Sequence, residues 1–172
     1  RAQILRTNRL SSHTIYDYIR KNRPDIKTDD EKLQSVIMAS GGSLGYAMDM
    51  ADAKSSDMIL QKRSKALELT SALLTNDADA VAFISSFSTS TRDEIKEALT
   101  LSLDILGDLM ALKRDRGATT YFFSSADDAE ELISRYSLLK LTQVYDALCI
   151  ALSDLNSNAS SGAVLMSILI SS

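Results

Sequence analysis

Apolar residues recur at three- and four-residue intervals along most of the chain, with short polar or glycine-rich breaks between the runs. Residues 1–10 alternate loosely and predict a short extended segment. Ser11 or Ser12 then caps a helix to residue 22, with Ile15, Tyr18 and Ile19 as its buried stripe. Pro24 stops it, because the residue before a proline avoids the helical region. Thr28 and Glu31 have capping-box spacing and predict a second helix to residue 39, with Leu33, Val36 and Ile37 apolar. The stretch Ser40-Gly41-Gly42-Ser43-Leu44-Gly45 breaks the pattern. Gly41 or Gly42 takes the left-handed conformation that closes a helix, and Ser43 caps the next one. Leu44, Ala47, Met48 and Ala51 carry that third helix to residue 52. On spacing alone this is a corner between two helices.

Residues 53–56 predict a linker, and from residue 57 the helices lengthen. Ile59, Arg63, Ala66, Leu67, Thr70, Leu73 and Leu74 share a face of one ending near Asn76. Asp77 starts a shorter helix through Val81 and Ile84 to Phe87. Thr91 and Glu94 cap a helix over residues 92–114. Ile95, Leu99, Leu103, Leu106 and Met110 form one stripe on it, and Leu101, Ile105, Leu109 and Leu112 a second. Two apolar faces predict a central helix, covered on both sides. Residues 117–120 break the run, and Tyr121, Phe122 and Phe123 are read as a plug for the bundle, with an exposed partner site as the alternative. Further helices are predicted over 127–136, 137–155 and 161–170, the middle one with Leu141, Val144, Tyr145, Leu148 and Leu152 inward. The expected fold class is therefore all-α. It comprises a small three-helix domain at 1–52, a linker at 53–56 and a helical bundle at 57–172.

Composition narrows the function classes. Apolar residues make up 45% and charged residues 24% of the 172, which is the balance of an ordinary globular protein. No apolar run approaches the roughly 18 residues of a membrane span, and nothing at the start resembles a signal peptide. Cys149 is the single cysteine. It excludes an internal disulfide and, on the apolar face of its helix, reads as a structural thiol in a reducing cytoplasm. In residues 1–24, Arg1, Arg6, Arg9, Arg20, Lys21 and Arg23 face Asp17 alone, a balance of +5 that leaves −9 for the rest. An acidic body argues against general nucleic-acid binding. The basic start suits a phosphate, a neighbouring subunit or plain solvation.

A self-contained enzyme is not expected. His13 is the only histidine and sits at a helix start, so no Ser–His–Asp or Cys–His pair is available in a core. Paired Cys and His spacings for a metal are absent. Asp127, Asp128, Glu130 and Glu131 suit a helix N-terminus rather than an acid–base site. There is no phosphate loop of the G-x-x-x-x-G-K-[ST] type, and no cofactor is expected in this chain.

A helix followed by S-G-G-S-x-G-x-A opening another helix resembles the sensor-2 region of the helical lid in AAA+ clamp-loader subunits. Arg1-Ala2-Gln3-Ile4-Leu5-Arg6 is similar to the end of that family's Ser-Arg-Cys-Gln motif and the strand leaving it. Leu106-Gly107-Asp108-Leu109-Met110-Ala111-Leu112-Lys113 resembles the W-L-R-D-L-L-x-L-K helix of the family's collar domain, and Asn156-Ser157-Asn158-Ala159 that collar's last turn. The order and spacing of these motifs span essentially the whole chain.

The resemblance implies the C-terminal part of a longer cytoplasmic protein: a subunit of the bacterial DNA polymerase III clamp loader, with residues 1–52 as lid and 57–172 as collar. The implied partners are the motor and delta-type subunits, met through the collar, with the sliding clamp and primed DNA engaged indirectly and no membrane. ATP would be bound by the partner subunits. Sensor 2 is an arginine in ATP-binding members, whereas Tyr46 stands at the matching position here. That departure implies a structural stator rather than an ATP-binding motor subunit of the same loader. Arg1 matches the arginine that enters the neighbour's ATP site, where such a finger is typically worth about 10³–10⁵ in rate, although Ala2 replaces the motif's cysteine; a plain surface arginine is the alternative. An unrelated helical adaptor is the remaining alternative.

Overall fold

The computed structural model describes residues 10–51, 53–123, 125–157 and 159–171. Among the described residues the protein is all-α, with nine α-helices, two short 3-10 turns and no strand. None of these helices is long and apolar enough to cross a membrane. The chain divides into two compact units, Arg1–Ile59 and Leu60–Ser172. The dividing point lies inside helix α4 (Ala53–Thr75). Residues 53–56, expected as a linker, are therefore helical. They contain no glycine or proline to stop the backbone, and Ala53 and Lys54 are strong helix formers.

In the first unit, α1 (Ser12–Asn22), α2 (Asp30–Ala39) and α3 (Leu44–Ala51) all pack on one another. Ser11 caps α1, its hydroxyl accepting from the Thr14 N–H at 3.2 Å. Ile15 and Ile19 are fully buried with Ile26, Leu33, Ile37, Ala47 and Ala51. Tyr18, expected inward, is exposed, because the buried arc of α1 is centred on Ile15, Tyr16 and Ile19. The expected Thr28 cap also moves. Asp29 caps α2, accepting from the Lys32 N–H at 2.7 Å, while the Thr28 hydroxyl donates to the Ala51 carbonyl at the end of α3.

The turn between α2 and α3 is the corner that the glycines predicted. Both Gly41 (φ 58°) and Gly42 (φ 79°) are left-handed. Ser40 ends α2 by donating its hydroxyl to the Ile37 carbonyl, and the Ser43 hydroxyl accepts from the Tyr46 N–H at the start of α3. The Leu10 N–H donates to the Gly42 carbonyl at 3.0 Å, so the turn also holds the entry to α1.

The second unit comprises the rest of α4, α5 (Ala78–Ser86), α6 (Arg92–Arg114), α7 (Glu130–Arg135), α8 (Leu138–Asn156) and α9 (Ser161–Ser171). Thr91 and Glu94 form the predicted capping box at the head of α6. The Thr91 N–H, ahead of the Thr91 hydroxyl, holds the Glu94 carboxyl below its ordinary range. On α6, Ile95, Ala98, Leu99, Ile105, Leu106, Leu109 and Leu112 are buried, in keeping with the two-faced pattern. The helix packs on α7 and α8, α8 packs on α9, and α9 on α5. Against α4, the Ala66 carbonyl accepts from both the Thr70 and the Ser102 hydroxyls, so two buried polar groups share one acceptor. Ile84 is buried on α5, whereas Val81 is exposed. The helix expected over 127–136 opens instead as a 3-10 turn, Asp127–Ala129, with α7 behind it. Ser125 and Asp128 cap each other's N–H groups there and tighten that first turn.

Two glycine substitutions are expected to act in opposite directions. Gly42→Ala places a Cβ on a left-handed residue and destabilises the first unit by about 1–2 kcal/mol. Gly107→Ala lies within α6, where a new Cβ meets nothing within 4 Å, and stabilises the second unit by about 0.5–1 kcal/mol. Denaturant unfolding of each variant against the parent chain measures both.

Candidate functional site

Arg1 lies outside the described residues. Tyr46, on the first turn of α3, is half-buried, and its backbone N–H serves the Ser43 cap. A phenol at this point supplies no fixed positive charge. Two arginines of the first unit, Arg20 and Arg23, are held in ion pairs. Arg20 pairs with Asp30 at 2.5 Å and donates to the Thr28 carbonyl, and Tyr16 donates to the same carboxylate at 2.8 Å. The Tyr16 hydroxyl first and Arg20 second hold the Asp30 carboxyl below its ordinary range. Arg23 makes a bidentate pair with Asp25. An open groove of about 570 Å³ lies beside α1, lined by Ser12, His13, Tyr16, Gln34 and Ile37. His13 is exposed there, its Nε2 3.3 Å from Asp17. Among the described residues no three or more His, Cys, Asp or Glu side chains gather in a metal-binding arrangement.

Charged groups set into apolar surroundings give the second unit its polar anchors. Asp108, on α6, is 2% exposed, and its carboxylate accepts from the N–H groups of Tyr121, Phe122 and Phe123. Arg63, on α4, donates to the Phe122 carbonyl and lies over that residue's ring, 4.0 Å from its centroid. Phe122 and Phe123 are buried edge-to-face at 5.2 Å, so these two aromatics plug the bundle, while Tyr121 is exposed. Lys113 donates to the Ile133 carbonyl near the end of α7. Arg92 donates to the carbonyls of Leu155 and Ala159, spanning the break between α8 and α9. Asp108 and Lys113 are thus the two polar members of the Leu106–Lys113 motif with assigned contacts, each fastening a different neighbour to α6. The sequence signal was a carboxylate between Ile105 and Leu109 on an otherwise apolar arc.

The outward faces of α8 and α9 carry large apolar side chains. Leu139 is 69% and Ile150 61% exposed on α8, while Met166 is 49% and Ile170 84% exposed on α9. Positions 139 and 150 are eleven residues apart, three turns, and so project from the same side of α8. Helix α9 contains no charged residue. Cys149, expected in the buried face, is exposed instead, because the inward arc of α8 runs through Leu141, Val144, Ala147, Leu148, Ala151 and Leu155. Partial shielding of its sulfur, and then the nearby Asp146 carboxylate, push the thiol up.

No protein-family model matches this chain, and no curated protein matches it.

The placement of Cys149 has a direct readout. A thiol-specific reagent is expected to label one equivalent in the folded protein without denaturant. Because the thiol is raised, the rate is below that of an unhindered free thiol at neutral pH and climbs as the pH rises. Labelling only after unfolding would show the sulfur to be buried.

Proposed function

We propose that this chain is the lid and collar part of a delta-prime-like subunit of the bacterial DNA polymerase III clamp loader. In this reading it is a structural stator that joins the motor and delta-type subunits through the helical bundle. It helps place the sliding clamp on primed DNA in the cytoplasm, and ATP is bound by its partners. The observation that carries the reading is the arrangement of two all-α units in one order. A three-helix unit closed by a doubly left-handed glycine turn precedes a bundle built on a two-faced central helix. Tyr46 supports the stator over the motor subunit, since it offers no cation to a phosphate. The exposed Leu139, Ile150, Met166 and Ile170 supply apolar area suited to packing against another helical bundle.

Mixing the chain with motor and delta-type subunits is expected to give one hetero-oligomer of defined mass by light scattering. Ile150→Glu combined with Ile170→Glu is expected to abolish it while leaving the helical circular dichroism intact. If the unmodified proteins stay apart at tens of micromolar, the clamp-loader reading fails and the unrelated adaptor takes its place. In the assembled loader, Arg1→Ala is expected to slow ATP turnover by the neighbour by about 10³-fold or more without dissociating the complex. An unchanged turnover in an intact assembly would remove Arg1 from that role.

A further inference from the structure

Between the end of α6 at Arg114 and the 3-10 turn at Asp127, the described residues form no regular secondary structure. Such a segment takes its backbone partners from side chains and turns rather than from a helical ladder. The Tyr121 N–H lies 3.0 and 2.8 Å from the two Asp108 oxygens. The Phe122 and Phe123 N–H groups lie 2.6 and 3.2 Å from Oδ2 of the same carboxylate. Arg63 holds the Phe122 carbonyl and ring face from α4. Within the segment, the Thr120 hydroxyl donates to the Phe123 carbonyl at 2.7 Å. At its entry, the Gly117 and Ala118 N–H groups bond to the Asp115 side chain and carbonyl, forming a compact turn.

From this convergence we propose that residues 118–123 form a strap that opens and shuts over the bundle as one unit, with Asp108 as its latch. Three successive amides share one acceptor. Displacing the middle amide from Oδ2 drags its neighbours off the same carboxylate, so the bonds break together. The strap's apolar hold is two adjacent rings, Phe122 and Phe123, which leave their site in the same movement. Opening lets water into the vacated space, where it can replace the three amide donors of the Asp108 carboxylate. The hydrogen bonds and ring contact that fasten the strap come from side chains of α4 and α6, so its opening need not separate α6 from α8. Opening uncovers an apolar recess beside α4 and α6.

Amide hydrogen exchange by NMR on the intact chain tests this. The N–H groups of Tyr121, Phe122 and Phe123 are expected to exchange with one common opening constant, at least about tenfold faster than the amides of Leu106 and Leu148. Asp108→Asn is expected to speed all three by about tenfold or more while leaving Leu106 and Leu148 within about twofold. Arg63→Leu, which spares the latch itself, is expected to speed the same three amides together. Unrelated rates for the three amides would overturn the strap, as would rates no faster than those of Leu106 and Leu148. An equal acceleration of the whole bundle in both variants would also overturn it. The parent-chain rates decide the matter even if Asp108→Asn does not fold.

Discussion

A helix that is apolar on two sides cannot rest against a single neighbour, and α6 imposes that condition on the whole second unit. Its buried leucines and isoleucines are each worth about 1.5–3 kcal/mol when fully removed from water. They realise it only if the helix is covered on both faces. Helix α8 lies along one side, with α9 behind it, and the Ser102 bond to Ala66 marks contact with α4. Enclosure then creates a second requirement, since any polar group inside must be answered. Asp108, Ser102 and Thr70 are buried at these contacts, and each has a bonding partner from the backbone. The polar anchors are a consequence of covering α6.

Most of the helices were legible because their boundaries are written in local chemistry. Ser137, Asp77 and the Thr91–Glu94 box each accept from a backbone N–H at the expected helix head, and the glycines at 41 and 42 mark a left-handed turn that side-chain-bearing residues avoid. What failed was the finer angular assignment. Tyr18 and Cys149 lie within a residue or two of buried positions, and which edge of an apolar arc faces inward depends on neighbours far away in sequence. The start of α4 was misread because Ser55 and Ser56 look like linker residues. Nothing there breaks a helix, however, and local composition alone did not decide it.

The candidate sites were legible to different depths. Tyr46 could be located at a helix start because the glycine turn dictates where α3 begins. The role of Asp108 was hidden, although its motif was visible, because its partners lie thirteen to fifteen residues later in a segment with no periodicity. Arg63 was seen only as part of an apolar stripe. Its ring and carbonyl contacts come from the same distant segment, 59 residues away. Long-range polar pairing leaves little trace in spacing, whereas apolar periodicity leaves a clear one.

The Asn76 side-chain amide donates to the Leu169 carbonyl, and α9 packs between α5 and α8. Among the described helices of this unit, α9 is made after both α5 and α8, on which it packs. Until α9 leaves the ribosome, the inner surfaces of α5 and α8 lack the side chains of Val164, Leu165, Ile168 and Leu169. Those surfaces stay unshielded from the emergence of α8 (Leu138–Asn156) until that of α9 (Ser161–Ser171). For this unit, the interval before α9 arrives is when chaperone contact or premature association with another chain has its opening.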